Sequence, residues 1–397
     1  MKELSRRRFA FPWWAPRLVS WWVYVVLVVA GAVSMVTALW DGIREFPGVW
    51  ITALVMSVPL LVVWWWLLRI PQLWMRIRTS GAVAAMLWGG FVGAGLYALP
   101  ANGALMTVLG QHLGVNAAHA WSAALAAPLT EETGKAFVIA AMVLVCREKL
   151  RTPMDGAILA GFAGLGFTIT EDLLYGFNLA YLSFGENPVV STLITYLLRA
   201  VIFGTVSHVI FSAVVGAGVA SIVTRRTRTA VVWGVGLLLL GPLLHFLWNS
   251  PVLGPLWAKA LYIVLMPAVA WVVIHGIRRA EYRWFRTTLQ APGALGRVPV
   301  AYVDAVGATW VKRRRYRRTV MRQWGPRARS AQRLLEAELT DLADALSVGD
   351  DAAADQFRAR LEARLVAPAA ASSVTDLPAG ASSATEPPAA ASSTPGA

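Results

Sequence analysis

Apolar residues run along this chain in stretches of about bilayer-spanning length: Leu18–Trp40, Val49–Leu68, Ala82–Leu99, Ala117–Cys146, Met154–Phe184, Thr192–Val223, Thr229–Trp248 and Leu256–Ile277. A helix needs roughly 20 largely apolar residues to cross the hydrocarbon core, so the pattern predicts an all-α, polytopic bundle of about eight spans. The segments between the runs carry an alternating charge. Arg69, Arg76 and Arg78 follow the second run, Arg147, Lys149 and Arg151 the fourth, Arg225, Arg226 and Arg228 the sixth, and Arg278 and Arg279 the eighth. The other connections, Asp41–Gly48, Pro100–Asn116, Gly185–Ser191 and Ser250–Pro255, contain only Arg44. Lys and Arg collect on the cytoplasmic side, so a multi-pass cell-membrane protein with both termini in the cytoplasm is expected.

Four regions follow from this reading. Residues 1–17 form a basic cytoplasmic N-terminus with Lys2, Arg6, Arg7, Arg8 and Arg17, and they lead into a run too long for a signal-peptide core. Residues 18–277 form the membrane core. In residues 278–366 the pattern changes: Lys312-Arg313-Arg314-Arg315-Tyr316-Arg317-Arg318 lies between Trp310 and Trp324, as expected of a segment resting on anionic lipid. Nucleic acid is the less favoured partner for a segment placed directly after a membrane span. Leu335, Leu339, Leu342 and Leu346, then Phe357, Leu361 and Leu365, keep helical spacing on either side of Gly349-Asp350-Asp351, predicting two short amphipathic helices. Residues 367–397 are Ala, Ser, Pro and Thr text that cannot bury a core and are expected to be disordered.

Composition narrows the picture. With 57% hydrophobic and 15% charged residues and a mean hydropathy of +0.56, an ordinary soluble globular chain is excluded. The net charge of +14 is then an orientation signal rather than a nucleic-acid signature. The nineteen Trp residues, with pairs at Trp13-Trp14 and Trp21-Trp22, suit interfacial anchoring. A lone Cys146 excludes an internal disulfide and a Cys-based zinc knuckle. The glycine clusters Gly89-Gly90-x-x-Gly93-x-Gly95, Gly161-x-x-Gly164-x-Gly166 and Gly216-x-Gly218 predict close helix contacts.

One run breaks the apolar pattern at its centre, with Glu131, Glu132 and Lys135. A charge there costs roughly 2.5–3.5 kcal/mol on insertion scales, so three of them need a reason. Glu131 and Lys135 are spaced i, i+4, which suits a helical ion pair that only locks helices together, but Glu132 is then without an assigned partner. Polar residues at similar depth on later runs favour a site: Glu171 and Asp172 with Phe167 on the fifth, His208 on the sixth, and His245 with Asn249 one turn on in the seventh. Carboxylates and imidazoles can hold and deprotonate water for attack on a carbonyl. Zinc takes three protein ligands and an open position, which His208, His245 and one glutamate, Glu171 among them, can supply. His-Glu-x-x-His and Gly-x-Ser-x-Gly are absent, so neither a soluble zincin nor a serine hydrolase elbow is indicated.

These motifs, Glu131-Glu132-x-x-Lys135, Phe167-x-x-x-Glu171, His208 with Gly216 eight residues on, and His245 with Asn249, resemble the PrsW-type intramembrane metalloproteases within the wider CAAX-protease-like group. Lys135 and Glu171 stand where the CAAX branch has Arg and His. The resemblance implies cleavage of a membrane-anchored protein, an anti-sigma factor for example, and the expected topology, with Glu171 and His245 in the outer halves of outward-running spans, puts the cut near the outer face. Glu131, Glu132, Glu171 and His208 are expected to be catalytic, His208, His245 and Glu171 to hold any metal, and Lys135, Asn249, Phe167 and Asp172 to support them. An ion- or proton-coupled transporter with the same carboxylates, and a non-catalytic scaffold, are the alternatives.

Overall fold

In the computed structural model, residues 9–72, 77–198, 208–224, 227–296, 298, 303 and 310–366 are described. Lys2, Arg6, Arg7, Arg8, Arg76, Arg225, Arg226, the side chains of Trp310, Lys312 and Trp324, and the segment 367–397 expected to be disordered lie outside them. Every regular element among the described residues is helical. Two compact units divide at Glu281/Tyr282.

The first unit contains α1 (Val19–Glu45), α2 (Pro47–Arg69), α3 (Thr79–Leu113), α4 (Val115–Cys146), α5 (Pro153–Leu182), α6 (Pro188–Tyr196), α7 (His208–Thr224), α8 (Arg228–Asn249) and most of α9 (Leu256–Leu289). Among the described residues six helices, α1, α2, α3, α5, α8 and α9, are long and apolar enough to cross a membrane. The other two expected spans are modified. The three charges of the fourth run sit within α4, which has 32 residues. The described residues of the sixth run include the end of α6 and the 17-residue α7.

The connection expected at Pro100–Asn116 is helix instead, because α3 continues to Leu113 and breaks only at Gly114, whose φ of +75° places it in the left-handed region. Pro100 stands where the π-helical stretch gives way to α-helix, and its missing N–H removes one backbone bond at that junction. Between its α-helical ends α3 winds as a π-helix over Trp88–Ala98. Four glycines in that stretch remove the side chains that would crowd a widened turn, and they let neighbouring helices lie against its backbone.

The enclosed centre is α5. It starts on a capping box, with Thr152 and Asp155 satisfying each other's backbone N–H groups and Pro153 at the first helical position. Its most extensive packing is against α7. There Gly156 and Gly216 face each other so closely that a Cβ on either would lie 2.2 Å from the other's carbonyl oxygen. A turn or two further on, a Cβ on Gly164 would lie 2.6 Å from the His208 carbonyl oxygen, so a glycine fixes how near the His208 backbone comes to α5. The expected small-residue contacts are therefore present, and the apolar core of Leu159, Phe162, Leu165, Phe211 and Met142 closes around them.

In the second unit, α10 (Trp310–Val348) is kinked at Gly325, with φ +80°, before Pro326, and α11 (Asp351–Val366) follows a turn through Gly349. Leu335, Leu339 and Leu342 on α10 and Phe357 and Leu361 on α11 are buried, as their spacing predicted. Burial works against the Glu336 carboxylate, but hydrogen bonds and charge from Arg317 and Arg313 outweigh it and hold the group below the ordinary carboxylate range. A depressed folded-state value means that this contribution is complete above about pH 4.5, the ordinary value, and is lost as pH falls further.

Gly156→Leu is expected to cost about 1–3 kcal/mol by overpacking α5 against α7. Its melting temperature in detergent should fall below that of the wild type, and an unchanged value would show that the two helices do not meet at this point.

Candidate functional site

The polar residues of four helices converge. Glu131, Glu132 and Lys135 on α4, Glu171 on α5, His208 on α7 and His245 on α8 form one hydrogen-bonded cluster. The cluster faces the interior of the bundle: Lys135 is 0%, His245 1%, Glu132 2%, His208 3% and Glu131 5% exposed. A proline stands three residues before Glu131 and three before His245, at Pro128 and Pro242, and removes one backbone hydrogen bond from each helix just ahead of the site.

Both glutamates contact Lys135, and the shorter contact is not the i, i+4 one. Lys135 Nζ lies 2.8 Å from Glu132 Oε1 and 3.5 Å from Glu131 Oε2. Glu132 is fully engaged. It accepts from Lys135, from His245 Nδ1 at 3.0 Å and from Ser212 Oγ at 2.9 Å. Glu131 is held less tightly: Asn102 Nδ2 donates to Oε1 at 3.2 Å, while Oε2 has the long contact to Lys135 and looks toward His208 Nδ1 and His245 Nε2, each 3.7 Å away.

The bonding pattern assigns the imidazole tautomers. Lys135 donates to His208 Nδ1 at 3.0 Å, so the proton is on Nε2, which donates to Glu171 Oε2 at 2.9 Å. His245 donates through Nδ1 to Glu132, which leaves the Nε2 lone pair facing inward. Each imidazole is thus tied by one nitrogen to a carboxylate and presents the other toward Glu131. Ligand histidines are oriented in this way at metal centres.

Glu131, His208 and His245 also form the group, among the described residues, whose donor atoms all lie within 4.8 Å of one another. Tetrahedral zinc ligands at about 2.0–2.1 Å are about 3.3 Å apart; Glu131 Oε2 is 3.7 Å from each imidazole nitrogen, and the whole group would contract from within 4.8 Å to hold an ion. The donor set, two imidazoles and a carboxylate, fits a divalent ion of that class. Glu171, expected as a ligand, is placed on the far nitrogen of His208 instead.

The remaining expected residues are distributed around this centre. Phe167 lies under the Lys135 ammonium, 3.9 Å from Nζ to the ring centroid, and beside the His208 ring at 5.2 Å. Asp172 is buried on α5 next to Glu171. Asn249, one turn beyond His245, is not bonded to the cluster. His112 and His119 are exposed, and His275 stacks on Trp271.

Two participants were not evident from sequence. Ser212 is one turn after His208 on the same helix, a spacing that could have pointed to it. Asn102 fell in a stretch read as an outer loop; its Oδ1 accepts from Thr130, and its amide reaches Glu131. On another side of α4, an apolar cleft of about 550 Å³ is lined by Tyr24, Trp88, Val92, Tyr97, Gly134 and Phe137, among others. Trp88 Nε1 donates across it to the Gly134 carbonyl at 3.1 Å, one residue before Lys135.

Residues 79–274 match the family model described as PrsW family intramembrane metalloprotease. The match spans every residue of the cluster, and it supports protease activity in the membrane. No curated protein and no solved structure matches the chain.

Asn102→Leu removes the donor that fixes Glu131 Oε1, and a hydrogen bond to a charged group is worth about 1.5–3 kcal/mol. Turnover of a cleaved single-span reporter should fall about ten-fold or more while the protein remains inserted and monodisperse. Full turnover would remove Asn102 from the site.

Proposed function

We propose that the chain is an endopeptidase that cuts a membrane-anchored protein, with Glu131, His208 and His245 forming the reacting centre. The observation that carries this reading is the opposed orientation of the two imidazoles, each anchored by one nitrogen on a carboxylate and each placing the other nitrogen 3.7 Å from Glu131 Oε2.

In this scheme a water molecule sits among Glu131 Oε2, His208 Nδ1 and His245 Nε2. Glu131 takes one proton as the water oxygen bonds to the substrate carbonyl carbon. The C–N bond then breaks, and Glu131 returns that proton to the amine nitrogen. Glu132 and Glu171 hold the imidazoles in orientation, Ser212 fixes Glu132, and Asn102 fixes Glu131. A divalent ion such as zinc on the same three donors would supply Lewis acidity, bringing the pKa of the water toward about 7.

The loop charges support cytoplasmic termini, and with that topology α4 runs inward, carrying Glu131 to about midspan, while Glu171 and His245 lie toward the outer ends of outward-running helices. The cut would then fall at or just below the outer membrane surface and leave an anchored stub. By the same resemblance the substrate class is an anti-sigma-factor-like protein in regulated proteolysis. At the cytoplasmic face, exposed Arg314, Arg318 and Arg322 recur every four residues along α10, with Arg315 beside them, and form a basic face suited to anionic lipid.

Glu131→Gln, His208→Ala and His245→Ala should each lower cleavage at least about 100-fold without loss of insertion. Glu132→Gln and Glu171→Gln should also inactivate, by releasing the imidazoles. Sequencing the new terminus of the anchored fragment tests the placement, and a cut on the cytoplasmic flank of the substrate span would overturn it.

For the basic face, the full chain is compared in nanodiscs of zwitterionic lipid alone and with anionic lipid added. Amide exchange in residues 310–322 should slow with anionic lipid, and replacing Arg314, Arg315, Arg318 and Arg322 by Gln should remove that difference. Equal exchange in both lipids would exclude the contact.

A further inference from the structure

We propose that Lys135 is the resident counter-cation of the candidate metal centre, and that a divalent ion enters by displacing its ammonium from Glu131 and His208. This rests on the metal reading of Glu131, His208 and His245 given above.

The argument is one of shared donors. Lys135 Nζ lies 3.0 Å from His208 Nδ1 and 3.5 Å from Glu131 Oε2, the two atoms that with His245 Nε2 face the candidate ion position. An imidazole nitrogen has a single in-plane lone pair. Because the other nitrogen of His208 donates to Glu171, the Nδ1 lone pair accepts from Lys135 or binds an ion, and cannot do both.

The ammonium also has somewhere to remain when displaced. Its shortest bond, 2.8 Å, is to Glu132 Oε1, which is outside the three-donor group, and its other close contact is the face of Phe167. A four-carbon stem can keep Glu132 while releasing His208. Before an ion binds, the Lys135 ammonium offsets part of the charge of two adjacent buried carboxylates that would otherwise repel each other in a low-dielectric bundle.

The consequence is that Lys135 sets metal affinity. Removing the ammonium should make the site bind a divalent ion more tightly, although it takes away a hydrogen-bonding partner of three site residues. A residue that merely held the helices together would have the opposite effect, because loosening the donors weakens coordination.

The test measures zinc affinity, by competition with a chromophoric chelator at one pH, for the full chain in detergent. Wild type is compared with Lys135→Met, which keeps the length and the packing on Phe167, and with Lys135→Arg, which keeps the charge. Lys135→Gln serves as the neutral variant if the Met variant does not insert. The neutral variant should bind zinc at least ten-fold more tightly than wild type, and Lys135→Arg no more tightly than wild type. Zinc should also raise the melting temperature of the neutral variant by more than that of wild type. Equal or weaker binding by the neutral variant overturns the inference and leaves the metal reading standing. No zinc bound by any inserted, monodisperse protein overturns both.

Discussion

The bundle depends on one buried ammonium. Lys135 is enclosed completely and is bonded to Glu131, Glu132 and His208 while lying over Phe167. Any one of these groups, alone in a hydrocarbon-like interior, would be strongly unfavourable. Together they offset part of one another's charge and satisfy one another's hydrogen bonds, and the arrangement requires α4, α5 and α7 to hold a fixed register. His245 joins through Glu132, which brings in α8. The polar centre and the order of the helices are therefore one constraint seen from two directions.

The surrounding helices can meet that constraint because their contacts are narrow. Gly156 against Gly216, and Gly164 against the His208 carbonyl, bring α5 and α7 together at backbone distance. Lipid tails are as apolar as Leu side chains, so helix association here comes from close packing and from interhelical polar bonds. The glycines provide the first and the charged cluster the second. The π-helical stretch of α3 has the same character, with Gly93 beside Lys135 and Trp88 bonded to the Gly134 carbonyl.

The second unit uses the same chemistry. Its basic run has a divided role: Arg313 and Arg317 turn onto buried Glu336, while Arg314, Arg315, Arg318 and Arg322 remain exposed. The inward pair organises a small helical core around Leu335, Leu339 and Leu361.

The sequence by itself determined the helical class, the long apolar runs, the two amphipathic helices of the second unit and the presence of an ionisable group in the membrane core. These are local properties: hydropathy, period and the cost of charge in an apolar stretch act over a few turns and can be read residue by residue. It also named Glu131, Glu132, Glu171, His208, His245 and Lys135, because each is conspicuous against apolar neighbours. The tertiary structure decided what pairs with what. That Glu132, rather than Glu131, takes the shorter bond to Lys135, that Glu171 stands behind His208 while Glu131 faces both imidazoles, and that Asn102 and Ser212 take part all depend on the approach and rotation of separate helices. Asn102 was hidden because a short stretch after a proline resembles a loop, and only its packing against α4 makes it part of a helix and of the site. Contacts between residues some 30 to 110 positions apart leave no periodic trace in the chain, so the geometry of the centre is a property of the fold.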